Sequence, residues 1–155
     1  MTFQKYKTVD VINWTIGDGA LNGPPLAAAI GNFDGVHRGH QMVVAAACEV
    51  AKDGELAPAI VTFDPHPREF FRQDDPSFHL ADRAEKDRLL SNLLVDRIIH
   101  ITFDDTLRRT DASEFVTSIL PLIGVQKLYA GSDFAFGRGR GGQIDTINEY
   151  GKSVG

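Results

Sequence analysis

Cysteine is nearly absent from the sequence, and long apolar runs are missing altogether. The single cysteine, Cys48, cannot form a disulfide within the chain, and no cysteine cluster is present that could hold zinc. Without a long apolar run we expect no segment that spans a bilayer. Acidic residues outnumber basic ones, 21 against 16, and the net charge of −5 argues against a nucleic-acid partner. The first residues lack the apolar core of a secretory signal, so we predict a cytoplasmic protein without a membrane partner.

The length and composition are those of one globular domain. The chain has 155 residues, 43% of them apolar and 24% charged, and we interpret residues 1–155 as a single domain that folds without a disulfide or metal. Short apolar runs predict four strands, at residues 26–32, 57–63, 97–103 and 125–131. Helical apolar spacing predicts four helices, at residues 40–52, 82–96, 111–120 and 143–151. The apolar stripe of the second helix comprises Leu89, Leu90, Leu93 and Leu94.

The alternation of apolar strands with helices defines a fold class. It predicts an α/β fold, a doubly wound parallel sheet of Rossmann-like type in three layers. Ligands of such folds bind outside the carboxyl ends of the strands. The loops expected there are residues 31–40, 64–71, 103–110 and 131–142.

The first of these loops, GNFDGVHRGH at residues 31–40, has the composition of a phosphate site. Its glycines permit a tight turn and close backbone approach to a ligand, and the helix that follows presents exposed amides. His37 and His40 are three residues apart, so we expect both imidazoles to face the same phosphate oxygens. Direct displacement at phosphorus is the simplest chemistry for such a loop. Two weaker interpretations are a glycine-rich turn with surface histidines and a metal site, for which His-x-x-His alone is a poor ligand set.

The motifs G-x-F-D-x-x-H-x-G-H, VTFDPHP and GSDFAFGRGRGG occur in this order along the chain. The first resembles the signature of the HxGH nucleotidyltransferase superfamily. Together they resemble the FMN adenylyltransferase (FAD synthetase) domain of the bacterial bifunctional riboflavin kinase/FAD synthetase family, from about residue 27 onward. The resemblance implies adenylyl transfer from ATP to FMN, giving FAD and pyrophosphate, with Mg²⁺ bound mainly by substrate phosphates and water. It also implies a riboflavin kinase domain in the full-length protein.

The resemblance assigns roles to particular residues. His37 and His40 are the expected catalytic residues. The expected ATP-binding residues are Gly31, Asn32, Phe33, His37, Gly39, His40, Gly131 and Asp133. The expected flavin-binding residues are Phe63, Pro65, Asp133 and Phe136. A helix cap for Asp133 and a core position for Phe136 are the alternatives, and no metal ligand is assigned.

Several features fall outside this interpretation. We expect a solvated basic loop at Arg138 and Arg140, surface charge at Lys86, Arg108 and Arg109, and a structural role for His100. The family's later I-S-S-T-x-x-R motif does not occur in the sequence. We therefore expect a domain truncated before that motif, without the kinase domain, that folds but turns over poorly. The remaining alternatives are another HxGH transferase and a non-catalytic nucleotide- or flavin-binding fragment.

Overall fold

The computed structural model describes residues 8–33, 38–71, 83–131, 134–143 and 145–149. Its centre is a sheet of five parallel strands in the order β1-β4-β3-β2-β5. The strands are β1 (Asp10–Trp14), β2 (Leu26–Ile30), β3 (Ala57–Asp64), β4 (Arg97–Thr102) and β5 (Val125–Ala130).

Helices connect the strands and cover the sheet. They are α1 (Arg38–Ala51), α2 (Pro67–Phe71), α3 (Arg83–Ser91), α4 (Asp105–Arg108), α5 (Ala112–Glu114) and α6 (Leu120–Leu122). A π-helical turn, Phe115–Ile119, joins α5 to α6, and a short 3₁₀ helix spans Arg138–Arg140. Residues 145–149 are also helical. None of the helices in the described part of the chain is both long and apolar enough to cross a membrane.

The order of the strands confirms the predicted doubly wound fold. From β2 the chain moves outward through β3 and β4, and β5 then returns to the opposite side of β2. The connection leaving β2 therefore leads away from β5, and a crevice opens at the carboxyl ends of these two neighbouring strands.

Two apolar clusters, one on each face of the sheet, hold the layers together. Successive residues of β2 point to opposite faces, so Ala28 joins one cluster and Ala29 the other. On the Ala29 face, Val44 and Ala47 of α1 and Leu90 of α3 pack against the sheet. Every residue of β2 is buried, as expected for the central strand of a parallel sheet.

Three details differ from the sequence predictions. The edge strand β1 was not predicted, because Trp14 is its one buried residue and its other positions carry no clear alternation. The helix predicted at 82–96 spans Arg83–Ser91. Leu94, which was assigned to its buried apolar stripe, lies beyond the helix, is 85% exposed and has a φ of 60°, so that assignment is wrong. The π turn interrupts the predicted helix at 111–120, although its apolar residues are buried as expected.

Candidate active site

A cleft of about 850 Å³ lies at the carboxyl ends of the strands. The loop after β2, the start of α1, the ends of β3 and β4 and the loop after β5 contribute its described walls. The lining residues are Ile30, Gly31, Asn32, Phe33, Gly39, His40, Met42, Val43, Phe63, His66, Pro67, Phe71, Phe103, Leu107, Arg108, Thr110, Phe115, Ala130, Gly131, Phe134, Ala135, Phe136, Gly137 and Gly139. Eight of the residues predicted from the sequence are therefore brought together, namely Gly31, Asn32, Phe33, Gly39, His40, Phe63, Gly131 and Phe136.

The loop after β2 turns sharply into the cleft. The Gly31 N–H donates to the Val61 carbonyl oxygen at 3.2 Å, which ties the start of the loop to β3. The turn was expected to depend on glycine, but Phe33 adopts the left-handed conformation, with a φ of 52°. Such a conformation costs a bulky residue free energy and persists where packing enforces it. Only 1% of Phe33 is exposed, so burial of its ring holds the turn in place.

His40 lies in the first turn of α1, as predicted, and is half-buried. Its imidazole packs edge-on against the Phe33 ring, with 5.0 Å between the ring centroids and 62° between the planes. The start of the helix adds the positive end of the helix dipole beside it. This end of the cleft is thus suited to an anion. The predicted partner His37 lies outside the described residues, as does Asp133.

Asn32 contributes a polar group whose bonding is incomplete. Its side-chain Oδ1 is shielded from solvent and has no hydrogen-bond partner among the described residues. Leaving a buried acceptor unsatisfied costs about 1–3 kcal/mol, and such groups in native proteins commonly mark functional positions. Because Asn32 lines the cleft, this buried oxygen lies in the wall next to the ligand space.

A polar layer lies on the α1 and α3 side of the sheet, formed by Arg83, Lys86 and Asp87 of α3 with Thr62 and His100 of the strands. Lys86 Nζ donates to Thr62 Oγ1 at 2.8 Å, and His100 Nε2 lies 2.7 Å from Asp87 Oδ1. Thr62 and His100 are register partners on β3 and β4. The surface position predicted for Lys86 is therefore wrong, and His100 is structural as expected.

This polar layer reaches the loop at the cleft. The Thr62 hydroxyl is 3.4 Å from the backbone carbonyl oxygen of Asn32, to which it donates. Arg83 extends the layer outward, with Nη1 at 2.8 Å from Asp64 Oδ2 and a further hydrogen bond to the Asn13 side chain. Burial lowers the pKa of His100, while its hydrogen bond to Asp87 opposes that change.

Phenylalanines form the opposite part of the cleft. Phe63 stacks on Phe134 with 13° between the ring planes and packs edge-on against Phe103. Phe136 stacks on Phe134 at 11° and lies 5.4 Å from Phe115, measured between ring centroids. Phe63 is 7% and Phe136 6% exposed, so both line the cleft while belonging to the core.

Two apolar side chains that the sequence did not single out are far more exposed at the cleft. Phe71, at the end of α2, is 62% exposed and packs edge-on against Phe103, with 5.9 Å between centroids. Met42 of α1 is 73% exposed. A flat aromatic ring with an open face is well suited to stacking on a planar ligand. The VTFDPHP motif marked this region, but it did not distinguish the covered Phe63 from the exposed Phe71.

The remaining predicted residues divide between the cleft and its surroundings. Pro65 is half-buried, follows a cis peptide bond and does not line the cleft, whereas His66 next to it is buried and does. Arg138 is exposed, as predicted, and its Nη2 lies 3.0 Å from Asp111 Oδ1. Arg108 was predicted to be surface charge, but it lines the cleft. The sequence RR at 108–109 gives no signal that distinguishes the two arginines.

The fold and the cleft define a doubly wound α/β domain whose switch point combines a helix N-terminus with a histidine, an arrangement suited to binding phosphorylated nucleotides. The chain belongs to the FAD synthetase family, whose model matches residues 22–155.

Curated relatives support this membership. A bifunctional riboflavin kinase/FMN adenylyltransferase of Pseudomonas fluorescens is 41% identical over 83% of this chain and 41% of its own length. An FAD synthetase of Listeria monocytogenes is 36% identical over 77% of this chain and 49% of its own length. A bifunctional riboflavin kinase/FMN adenylyltransferase of Escherichia coli K12 is 34% identical over 81% and 41%, respectively. The chain therefore spans less than half of each of these relatives.

A solved structure shares the fold. It is described as a macrolide-efflux protein from Streptococcus pneumoniae and superposes with a TM-score of 0.79 at 22% identity. The match covers 92% of this chain and 55% of that chain. At this level of identity the likeness supports the fold alone.

Proposed function

We propose that this domain transfers the adenylyl group of ATP to FMN, which yields FAD and pyrophosphate. The observation that carries the proposal is the joining, in one cleft, of an anion-binding end at His40 and the start of α1 to an aromatic end at Phe71 and Phe103. The two ends match a nucleoside triphosphate and a flavin. The named activities of the family and its relatives agree with this assignment.

The reaction is a displacement at the α-phosphorus of ATP. A phosphate oxygen of FMN forms the new P–O bond, the bond to the oxygen bridging the α- and β-phosphorus breaks, and pyrophosphate leaves with the electron pair. The second pKa of a phosphate monoester is about 6, so the acceptor is largely ionised at neutral pH and needs no strong base. Catalysis then rests on positioning and on stabilising negative charge.

His40 is the proposed charge-stabilising group among the described residues. Its ring packs in a T-shaped arrangement with Phe33, and it lies in the first turn of α1. A donor fixed in this way need not reorganise as charge develops on the phosphates. We propose the same role for His37 and nucleotide contacts for Gly31, Asn32, Phe33, Gly39, Gly131 and Asp133.

The aromatic end of the cleft is the proposed flavin site. Phe71 offers an open ring face, and Phe63 and Phe136 form the covered wall behind it. Stacking on Phe71 would bury apolar area on both partners. Pro65 and Asp133 are the remaining proposed flavin contacts. Pro65 acts there through the shape of the turn, because it does not line the cleft itself.

We propose that Mg²⁺ is held by the phosphates of ATP and by water rather than by side chains of the protein. Mg²⁺ takes oxygen ligands, chiefly carboxylates, phosphates and water. The described lining of the cleft contains no carboxylate side chain, so these residues do not form a magnesium cage. We also propose that the full-length protein carries a riboflavin kinase domain, since two of the relatives above are bifunctional and each extends well beyond the matched region.

Binding and product analysis test the proposal together. FMN fluorescence should be quenched on addition of the protein, and ATP should bind the same protein without displacing FMN. Excess protein with both ligands and Mg²⁺ should then form FAD in a slow single turnover, in keeping with the poor turnover expected from the sequence. Competition between ATP and FMN for one site would contradict the assignment, as would binding of a different phosphorylated acceptor in preference to FMN.

A further inference from the structure

Lys86 lies outside the cleft, yet two hydrogen bonds in series connect it to the loop that leads into the anion-binding end. Its Nζ donates to Thr62 Oγ1 at 2.8 Å, and the same hydroxyl donates to the backbone carbonyl oxygen of Asn32 at 3.4 Å. Asn32 lines the cleft, whereas neither Thr62 nor Lys86 is among its described lining residues. The route by which Lys86 can act on a bound ligand is therefore indirect.

The helix that carries Lys86 is fixed to the sheet on both sides of this residue. Three residues earlier, Arg83 Nη1 lies 2.8 Å from Asp64 Oδ2 at the end of β3. One residue later, Asp87 Oδ1 lies 2.7 Å from Nε2 of the buried His100 on β4. Lys86 thus extends toward the sheet from a fixed backbone, and it is half-buried there.

The chemistry of the two side chains sets the direction of both hydrogen bonds. A lysine ammonium can only donate, and a hydroxyl has one proton beside its acceptor lone pairs. Because Thr62 accepts from Lys86, its own proton is directed to the Asn32 carbonyl oxygen. Thr62 is fully buried, so solvent does not compete for that proton. The second bond is long for a hydroxyl donor, and polarisation by the adjacent ammonium strengthens it.

The carbonyl held in this way belongs to a sensitive point of the loop. The next residue, Phe33, is the one with the left-handed backbone, and the peptide that joins it to Asn32 is trans. In a trans peptide the carbonyl and the following N–H point in opposite directions, so a fixed Asn32 oxygen also fixes the direction of the Phe33 N–H. Since the Gly31 N–H donates to the Val61 carbonyl oxygen, the loop is held to β3 at two successive residues, Val61 and Thr62.

We propose that Lys86 is a positioning residue for the nucleotide, because through the Thr62 hydroxyl it holds the peptide between Asn32 and Phe33 in the conformation that binds the triphosphate. The inference rests on the proposed function, since it takes this loop as the nucleotide end of the cleft. Lys86 contacts neither substrate, and its effect is confined to the nucleotide end and does not extend to the aromatic end. Loss of one hydrogen bond of this kind should weaken ATP binding about 3- to 10-fold.

A double-mutant cycle on ATP affinity tests the proposal. ATP with Mg²⁺ and, separately, FMN are titrated calorimetrically into the parent protein, K86M, T62V and the double variant. Each single variant should lose about 3- to 10-fold in ATP affinity. The double variant should lose no more than the weaker-binding single variant, because both changes break the same pair of hydrogen bonds. FMN affinity should stay at the parental value throughout.

Two control variants separate positioning from charge and from packing. T62S keeps the hydroxyl and should bind ATP as the parent does. K52M removes a different lysine, one whose ammonium pairs with Glu49 on the surface at 2.8 Å, and should also behave as the parent. Urea unfolding shows whether each variant is folded at the titration temperature, and T62A takes the place of T62V in the cycle if the valine variant is not.

The outcomes distinguish this inference from the proposed function. A parent protein that does not bind ATP overturns both. A parent that binds ATP and FMN, with ATP affinity unchanged in K86M or T62V, overturns the role of Lys86 alone. Additive losses in the double variant, or an equal loss in K52M, also overturn it, since they would reflect net charge. A parallel loss of FMN affinity would contradict it as well, because the effect would then not be confined to the nucleotide end.

Discussion

His40→Ala should reduce the rate of FAD formation far more than it reduces stability. The stability loss follows from the contact with Phe33, because an edge-on aromatic pair contributes about 0.5–1.5 kcal/mol and His40 is only half-buried. The rate loss follows from the removal of a fixed donor to the reacting phosphates. Removing one such donor costs about 10²–10³ in rate, or about 2.7–4 kcal/mol of activation free energy.

Single-turnover FAD formation with protein in excess over FMN measures the first quantity, and urea unfolding measures the second. Phe33→Leu is the informative control, since it removes the ring edge while keeping the imidazole. It should cost about 1–3 kcal/mol in the free energy of unfolding and only part of the rate. FAD formation by H40A at the parental rate, or a rate loss no larger than that of F33L, would contradict the proposed role of His40.

Three further predictions concern the surroundings of the cleft. Phe71→Ala should weaken FMN binding about fivefold without changing the melting temperature, because the ring is 62% exposed. Phe63→Ala should instead lower the free energy of unfolding by about 3–5 kcal/mol, because that ring is buried. FMN titration and urea unfolding of both variants measure these two effects. Thr62→Val removes the acceptor of the Lys86 ammonium and should cost about 1–3 kcal/mol in urea unfolding, with weaker ATP binding. Because the pKa of His100 is lowered in the folded protein, the unfolded chain binds more protons than the folded one in acid. The urea midpoint should therefore fall as the pH drops below about 6.5, and it should fall by a smaller amount in H100N.

Each of these predictions has a contradicting result. Equal flavin losses in F71A and F63A with unchanged stability would mean that the buried ring contacts the ligand directly. An unchanged urea midpoint in T62V would show that the polar layer contributes nothing to stability or to the loop. A parent and H100N with parallel pH profiles would assign the acid sensitivity to other groups.

The central strands could be predicted because their burial is complete. LAAAI in β2 is apolar at every position, and in a parallel sheet such runs have few alternatives. The edge strand β1 lacks this signal, since four of its five residues keep contact with solvent. Helix ends were equally hard to predict: the leucines after Ser91 continue the apolar spacing, but a left-handed residue at Leu94 turns the chain toward β4.

The candidate site could be predicted where a motif fixes the backbone, and less well where tertiary packing selects among similar residues. The loop after β2 and the start of α1 follow from one string of glycines and histidines. Nothing in the sequence separates Phe63 from Phe71 or Arg108 from Arg109. Both phenylalanines line the cleft, but only Phe71 is exposed there, and of the two arginines only Arg108 lines it. These differences depend on how α2 and α4 pack on the sheet, a property of the folded chain.

We propose that ATP and FMN bind together in the cleft and are joined there. Its most direct measurement mixes excess protein with FMN, ATP and Mg²⁺, quenches the reaction and quantifies FAD and pyrophosphate by chromatography. Equal amounts of the two products, formed slowly, and no free AMP are expected. Unchanged FMN and ATP in a protein that demonstrably binds both, or release of AMP without FAD, would contradict it.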